Sequence, residues 1–388
     1  MNYDRILSDK SQKLKPSGIR KFFDIAAGVP DIISLSVGEP DFKTPWAIRR
    51  DAISVLEKGQ TKYTSNAGMV ELRKAVSDYF CRTINVSYDP GNEVIITVGG
   101  SEAIDIALRA LVNPGDEVII PEPSFVSYSP IVELMGGIPV PAMTREEDSF
   151  KLTPEILKPL ITAKTKALIL SFPSNPTGAV MRRDELEKIA SVLKNTDIIV
   201  ISDEIYSELT YGVKHVSIAE LGDMRERVII INGFSKAFAM TGWRLGFAAA
   251  PAPIIAQMLK IHQYAVMCSP TVSQYAAITA LYDCDGEVRE MVEEYDMRRR
   301  LIVKGFEEIG LNCLTPEGAF YVFPSIKSTG LTSQEFCTRL IKEKSVAVVP
   351  GDAFGECGEG YVRVSYAYSI KHLTTAIKRI GEFLQGLN

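Results

Sequence analysis

Short runs of β-branched and aliphatic residues recur at 94–98, 117–120, 167–170, 198–201 and 228–231, separated by stretches long enough for helices. A continuous apolar run such as Val228-Ile229-Ile230-Ile231 suits a strand covered on both faces, as parallel strands are. Strands alternating with helices of ten or more residues predict an α/β chain with a mainly parallel sheet. Helical patterns are read over 46–58, over 68–83 and from Gly99-Gly100-Ser101-Glu102 to about Val112. A shorter helical pattern runs from Ser17 to Gly28, with a strand-like alternation at 32–37. After a long charged helix near 286–309 the rhythm shortens. A strand at 319–323, a helix at 332–343, strands at 346–349 and 361–365 and a last helix suit a smaller α+β unit. With 388 residues, two domains are expected. The predicted division is an arm at 1–16, a small domain from 17–45 and 290–388, and a large domain over 46–289.

Open α/β sheets bind their ligands at the carboxyl ends of the strands. Three successive runs here end in unusual polar groups: Ser171-Phe172-Pro173-Ser174-Asn175-Pro176-Thr177-Gly178, Ser202-Asp203-Glu204-Ile205-Tyr206 and Gly233-Phe234-Ser235-Lys236. Eight residues beyond Lys236 stands Arg244, within reach of the same spot. One amine that can lose its charge on desolvation, beside one permanent cation, suits a phosphorylated aldehyde. The amine condenses with the carbonyl and the guanidinium forks onto the phosphate. Taken singly, each group has a plainer reading as turn, helix cap or solvated charge. Turn chemistry does not require their joint placement on consecutive strand ends.

Lys and Arg number 43 against 48 Asp and Glu, a net charge of −5, which is unlike a nucleic-acid-binding surface. The six cysteines form no C-x-x-C pair, so reduced thiols and a cytoplasmic protein are expected, and no metal is implied. Charges in the opening Met1-Asn2-Tyr3-Asp4-Arg5 argue against a signal peptide, and no apolar run is long enough to span a bilayer.

The constellation resembles the class I/II aminotransferases of the pyridoxal-phosphate fold type I. The resemblance covers nearly the whole chain, from Ser36-Val37-Gly38-Glu39-Pro40-Asp41-Phe42 through Asn175-Pro176-Thr177-Gly178 and Ser235-Lys236 to Arg363. Ser171-Phe172-Pro173-Ser174-Asn175 and the segment from Ser202 to Tyr211 are similar to a bacterial branch acting on aromatic amino acids, aspartate and N-acetyl-diaminopimelate. The resemblance implies a large domain with a seven-stranded sheet, pyridoxal 5'-phosphate as cofactor, 2-oxoglutarate or a similar 2-oxo acid as acceptor, and a homodimer with shared active sites. It implies that Lys236 binds the cofactor covalently and then moves the substrate's Cα proton, and that Asp203 pairs with the ring nitrogen. Tyr206 and Asn175 would bond the ring's phenolic oxygen, and Phe125 would stack on the ring. Backbone amides of Gly100, Ser101 and Glu102, with Ser235 and Arg244, would hold the phosphate, joined by Tyr63 from the neighbouring subunit. Arg363, with Asn175 and the backbone at Gly38, would clamp the substrate α-carboxylate. Ile19, Phe22, Tyr128 and Tyr264 would surround the substrate side chain.

The same fold also supports C–S β-lyases, which remain the alternative activity. Ligand-sensing regulators that reuse the fold carry an extra DNA-binding domain; with the fold read from about Ser17 and an acidic net charge, that role is not expected here. An S-x-x-K match at Ser191 lacks its usual partner motifs, and no G-x-G-x-x-G follows a strand. In some prokaryotic aspartate aminotransferases a lysine follows the Gly-Gly of the phosphate loop and binds the distal carboxylate. This chain has Ser101 there, so broad donor use, with aromatic or long side chains at least comparable to aspartate, is expected.

Overall fold

The computed structural model describes residues 1, 3–16, 18, 19 and 28–387. Most of the predicted helical pattern over 17–28, Phe22 included, lies outside them. The strands are β1 (Ile33–Ser34), β2 (Val94–Thr97), β3 (Glu117–Glu122), β4 (Ile138–Met143), β5 (Thr165–Ser171), β6 (Ile199–Asp203), β7 (Val228–Gly233), β8 (Gly246–Ala249), β9 (Tyr321–Val322), β10 (Val346–Ala347), β11 (Val349–Pro350) and β12 (Val362–Ser365). The principal helices are α1 (Trp46–Glu57), α2 (Val70–Ile84), α3 (Gly99–Leu111), α4 (Tyr128–Met135), α5 (Arg183–Leu193), α6 (Ala252–Ala265), α7 (Thr271–Asp283), α8 (Asp285–Glu308), α9 (Ser333–Lys344) and α10 (Ile370–Gln385).

Seven strands form one sheet in the order β2-β8-β7-β6-β5-β3-β4. It is mainly parallel; β8 alone runs against both its neighbours. Successive side chains of a strand point to opposite faces, and the core divides accordingly. Ile169, Ile201, Ile229 and Ile231 meet Ile104, Leu108 and Met258 of α3 and α6 on one face. Leu168, Val200, Val228 and Ile230 meet residues of α2, α5 and α7, such as Phe80, Ile189 and Ala277, on the other. Coverage on both faces explains why the central strands read as unbroken apolar runs. Each fully buried Val or Ile contributes roughly 1.5–3 kcal/mol.

Two of the seven strands carry no such run. β4 is an edge strand containing Pro139 and Pro141, which cannot donate to a ladder, and β8 is glycine and alanine apart from Phe247. The predicted strand at 346–349 divides into two: β10 pairs with β1, while β11 pairs with β12, which also pairs with β9. The β1–β10 pairing ties residues 33–34 to the C-terminal part of the chain. The register sets Ser171 beside Asp203 and Asp203 beside Ile231, so neighbouring strands of the main sheet end together. Among the described residues no helix is long and apolar enough to cross a membrane.

Candidate active site

A cavity of about 500 Å³ opens at those strand ends. Its wall is contributed by the loops after β5, β6 and β7, the start of α3, the segment after β1, and β9 and β12. The segment after β7 is anchored by Phe234, which packs against Phe238 and Phe247, and by fully buried Met240. That anchoring holds Lys236 over the cavity, where its Nζ donates to the Gly38 carbonyl at 2.6 Å. Burial, and then the nearby Arg363 guanidinium, push the Lys236 amine down to about 8.

The start of α3 makes an anion cup. Gly99 has φ +76°, and a Cβ there would stand 2.8 Å from Arg244 Nη2, so the guanidinium lies where a side chain would otherwise be. Gly100, Ser101, Ser235 and Arg244 all line the cavity. Arg244 donates to the Thr241 carbonyl at 3.0 Å and, among the described residues, forms no ion pair. A helix N-terminus, two hydroxyls and an uncompensated guanidinium fit a phosphate monoester. The Glu102 side chain turns away, accepting from the Val98 N–H at 2.5 Å and lying 2.8 Å from Nδ1 of buried His262.

Opposite the cup, Arg363 is 3% exposed and lies between the rings of Tyr321 and Phe354, at 4.6 and 4.9 Å. Its Nη1 donates to Asn175 Oδ1 at 3.0 Å and its Nη2 to the Ser36 carbonyl at 2.5 Å. Among the described residues its Nε has no partner and no carboxylate pairs with it. A buried guanidinium left this way is expensive unless an anion arrives. Burial lowers its proton affinity, although a guanidinium remains charged.

Asp203 closes the floor. Burial raises its carboxyl above the ordinary carboxylate range, opposed by the Tyr128 hydroxyl at 2.7 Å and the Ile205 N–H at 3.2 Å. Tyr206 and Phe125 line the same space. The Tyr206 hydroxyl lies 2.8 Å from that of Tyr321.

Thus the residues at 38, 100, 101, 125, 175, 203, 206, 235, 236, 244 and 363, together with Ile19, share one cavity. Two predicted placements differ, those of Tyr128 and Tyr264. Tyr128 lines the wall, but its hydroxyl is directed to Asp203 and Ser171, not toward a subsite for a substrate side chain. Tyr264 is 88% exposed near the end of α6 and does not line its own chain's cavity. Tyr63, 79% exposed, also lies outside it, as a residue serving another subunit would. Sequence reasoning missed Tyr321, whose ring packs on Arg363 and whose hydroxyl fills the space a Cβ on Gly38 would need, only 2.0 Å away. Tyr321 reads as an ordinary strand residue, and its partner Tyr206 is distant in sequence.

A parallel sheet with a lysine and a buried acid at its strand ends, facing a cavity lined also by two arginines that have no carboxylate partner among the described residues, fits a fold type I pyridoxal-phosphate enzyme. Residues 30–380 match the family "Aminotransferase class I and II". The chain is 50% identical to an aspartate aminotransferase of Pyrococcus abyssi, with 98% of each chain covered. It is 48% identical to aromatic-amino-acid aminotransferase 2 of Thermococcus litoralis, again over 98% of each. The crystal structure of an aromatic aminotransferase from Pyrococcus horikoshii superposes with a TM-score of 0.90 at 48% identity, covering 94% of this chain and 99% of that one. The chain belongs to the class I and II aminotransferases, and its cofactor is pyridoxal 5'-phosphate.

Proposed function

We propose that this cavity moves an amino group from an L-amino acid of aromatic, aspartate or N-acetyl-diaminopimelate type to a 2-oxo acid such as 2-oxoglutarate. The observation that carries the reading is a set of three cations, Lys236, Arg244 and Arg363, around one cavity, with both guanidiniums lacking a carboxylate among the described residues. When bound, pyridoxal 5'-phosphate supplies an aldehyde and an electron-accepting ring that stabilises negative charge at the substrate's Cα. Gly100, Ser101, Glu102 by its backbone, Ser235 and Arg244 would hold its phosphate. Asp203 would face its ring nitrogen, Tyr206 and Asn175 its phenolic oxygen, and Phe125 its ring face. Arg363, assisted by Asn175 and the Gly38 backbone, draws the substrate carboxylate out of water and fixes the Cα–H bond toward Lys236. An amine lowered to about 8 is partly neutral near pH 7, so Lys236 can accept that proton and return it elsewhere.

With Arg244 given to the phosphate and Arg363 to the α-carboxylate, the described cavity wall offers no further arginine for a distal carboxylate. Ile19 and Val37 contribute apolar surface to the cavity wall. This supports broad donor use, as does near-equal similarity to relatives named for aspartate and for aromatic amino acids. The test is kcat/KM for phenylalanine, tyrosine, aspartate and N-acetyl-diaminopimelate with 2-oxoglutarate as common acceptor. Aromatic donors are expected to match or exceed aspartate. An aspartate preference above ~100-fold, about 2.7 kcal/mol of discrimination, would overturn the substrate reading.

The reading includes a cytoplasmic homodimer with shared sites. It takes 17–45 and 290–388 as the small domain, supported by the β1–β10 pairing, and 46–289 as the large one, with 1–16 as an arm. Support for the dimer comes from the exposed large apolar side chains of Trp46, Leu56, Tyr63, Val70 and Tyr264. The segment around Tyr63 is tied to the end of α6 and the start of α7 by Asn66 donating to the Met267 carbonyl and Thr271 to that of Lys62.

A further inference from the structure

Tyr128 is buried at the start of α4, and its hydroxyl is 2.7 Å from Asp203 Oδ2 and 3.0 Å from Ser171 Oγ. A phenol carries one proton. The carboxylate is the stronger and nearer acceptor, so that proton belongs to Asp203, leaving Ser171 free to donate its own to the phenol oxygen. The other carboxylate oxygen, Oδ1, accepts from the Ile205 N–H at 3.2 Å. Each oxygen of Asp203 is therefore held by one donor, and the two donors come from different elements. The Tyr128 ring also meets the Phe125 ring edge-on, with centroids 5.7 Å apart and planes at 78°. Phenylalanine would fill the same volume, so packing alone does not require the hydroxyl.

We propose that Tyr128 is a positioning residue, backed by Ser171, that fixes the direction in which the Asp203 carboxylate faces the cavity and supports the ring of Phe125 from behind. The inference rests on the reading of Asp203 as the partner of the cofactor's ring nitrogen. The titratable groups around Asp203 are Tyr128 from α4, Glu204 and Tyr206 after β6, and Lys236 after β7. Lys236 favours the carboxylate anion and Glu204 opposes it. Removing the Tyr128 proton takes away the nearest hydrogen bond to that anion, so Asp203 should protonate at higher pH.

The test is a double-mutant cycle on the full-length enzyme with Tyr128→Phe, Asp203→Asn and the pair. Its readouts are kcat, KM, the melting temperature, and the pH-dependent affinity of the cofactor-free protein for pyridoxal phosphate. Tyr128→Phe should keep its fold, lower kcat by roughly 10-fold with KM within ~2-fold, and weaken cofactor binding by roughly 10-fold. The acid-side loss of affinity should move to higher pH. In the Asp203→Asn background the same change should cost less than ~2-fold. Factors that multiply in the double variant, or a Tyr128→Phe enzyme equal to the parent, would overturn the proposal. An Asp203→Asn enzyme indistinguishable from the parent would instead remove the underlying reading of Asp203. If Tyr128→Phe fails to fold, Ser171→Ala in the same cycle decides: a smaller loss that vanishes with Asp203→Asn supports the proposal, and an additive loss or none overturns it.

Discussion

Lys236 has Arg363 and Arg244 near it, with Glu39 and Asp203 offsetting part of their repulsion, and burial weighs most heavily against its charged form. The amine titrates near 10.5 in an open chain and near 8 in the folded one. Between those values the unfolded state binds the extra proton, so this residue makes the cofactor-free protein more stable as pH rises through that window. Below about 8 it opposes folding. Lys236→Met removes the titration while keeping an unbranched apolar body of similar length. It also leaves the Gly38 carbonyl without its donor, a cost of about 1 kcal/mol that does not vary with pH. The expected outcome concerns the trend. The melting temperature of the cofactor-free variant relative to the parent should be higher at pH 7 than at pH 10 by about 2–4 °C. A difference that is flat, or that grows with pH, would show that burial does not depress Lys236. The stability given up here is what makes the amine reactive at neutral pH.

The turn from β2 into α3 does at the element scale what Arg363 does at its own position, leaving an electropositive group without a carboxylate partner among the described residues. Gly99 permits it, with φ +76° and no Cβ to displace Arg244. Gly99→Ala adds left-handed strain of about 1–2 kcal/mol and moves the guanidinium by steric contact. The cofactor-free variant should bind pyridoxal phosphate roughly 10-fold to 100-fold more weakly, with a much smaller change for unphosphorylated pyridoxal. Equal losses for the two ligands would mean that this turn does not form the phosphate cup. The turn was legible in sequence because Gly99-Gly100-Ser101 directly follows an apolar run, and the same logic disclosed Asp203, Lys236 and Asn175. β4 and β8 were not legible. Prolines and small residues mark them as loop, and only pairing with β3, or with β2 and β7, makes them strands. Tyr321 was hidden for a related reason: its value lies in meeting Tyr206, Gly38 and Arg363 across three other segments. Tyr128 was visible as a site residue but its direction was not, because sequence does not say which side of α4 faces Asp203.

At the scale of the whole molecule, one chain completes most of a site and leaves Tyr63 outside its own cavity, 79% exposed. The large apolar side chains of Trp46, Leu56, Val70 and Tyr264 are exposed as well, the first three on α1 and α2, which both pack on α7. A second copy of the chain, related by a twofold axis, would cover these groups and bring each Tyr63 to the neighbour's phosphate cup. Complementation separates this arrangement from a site built within one chain. Lys236→Ala retains Tyr63 but has no amine, whereas Tyr63→Ala retains the amine. In a mixed dimer one site receives Lys236 from one chain and Tyr63 from the other, and the second site lacks both. Random exchange at equal concentrations makes half of the dimers mixed, so about a quarter of all sites should regain parental turnover. A mixture whose activity stays at the mean of its two components, after mass spectrometry has shown that subunits exchanged, would mean that Tyr63 serves its own chain or none.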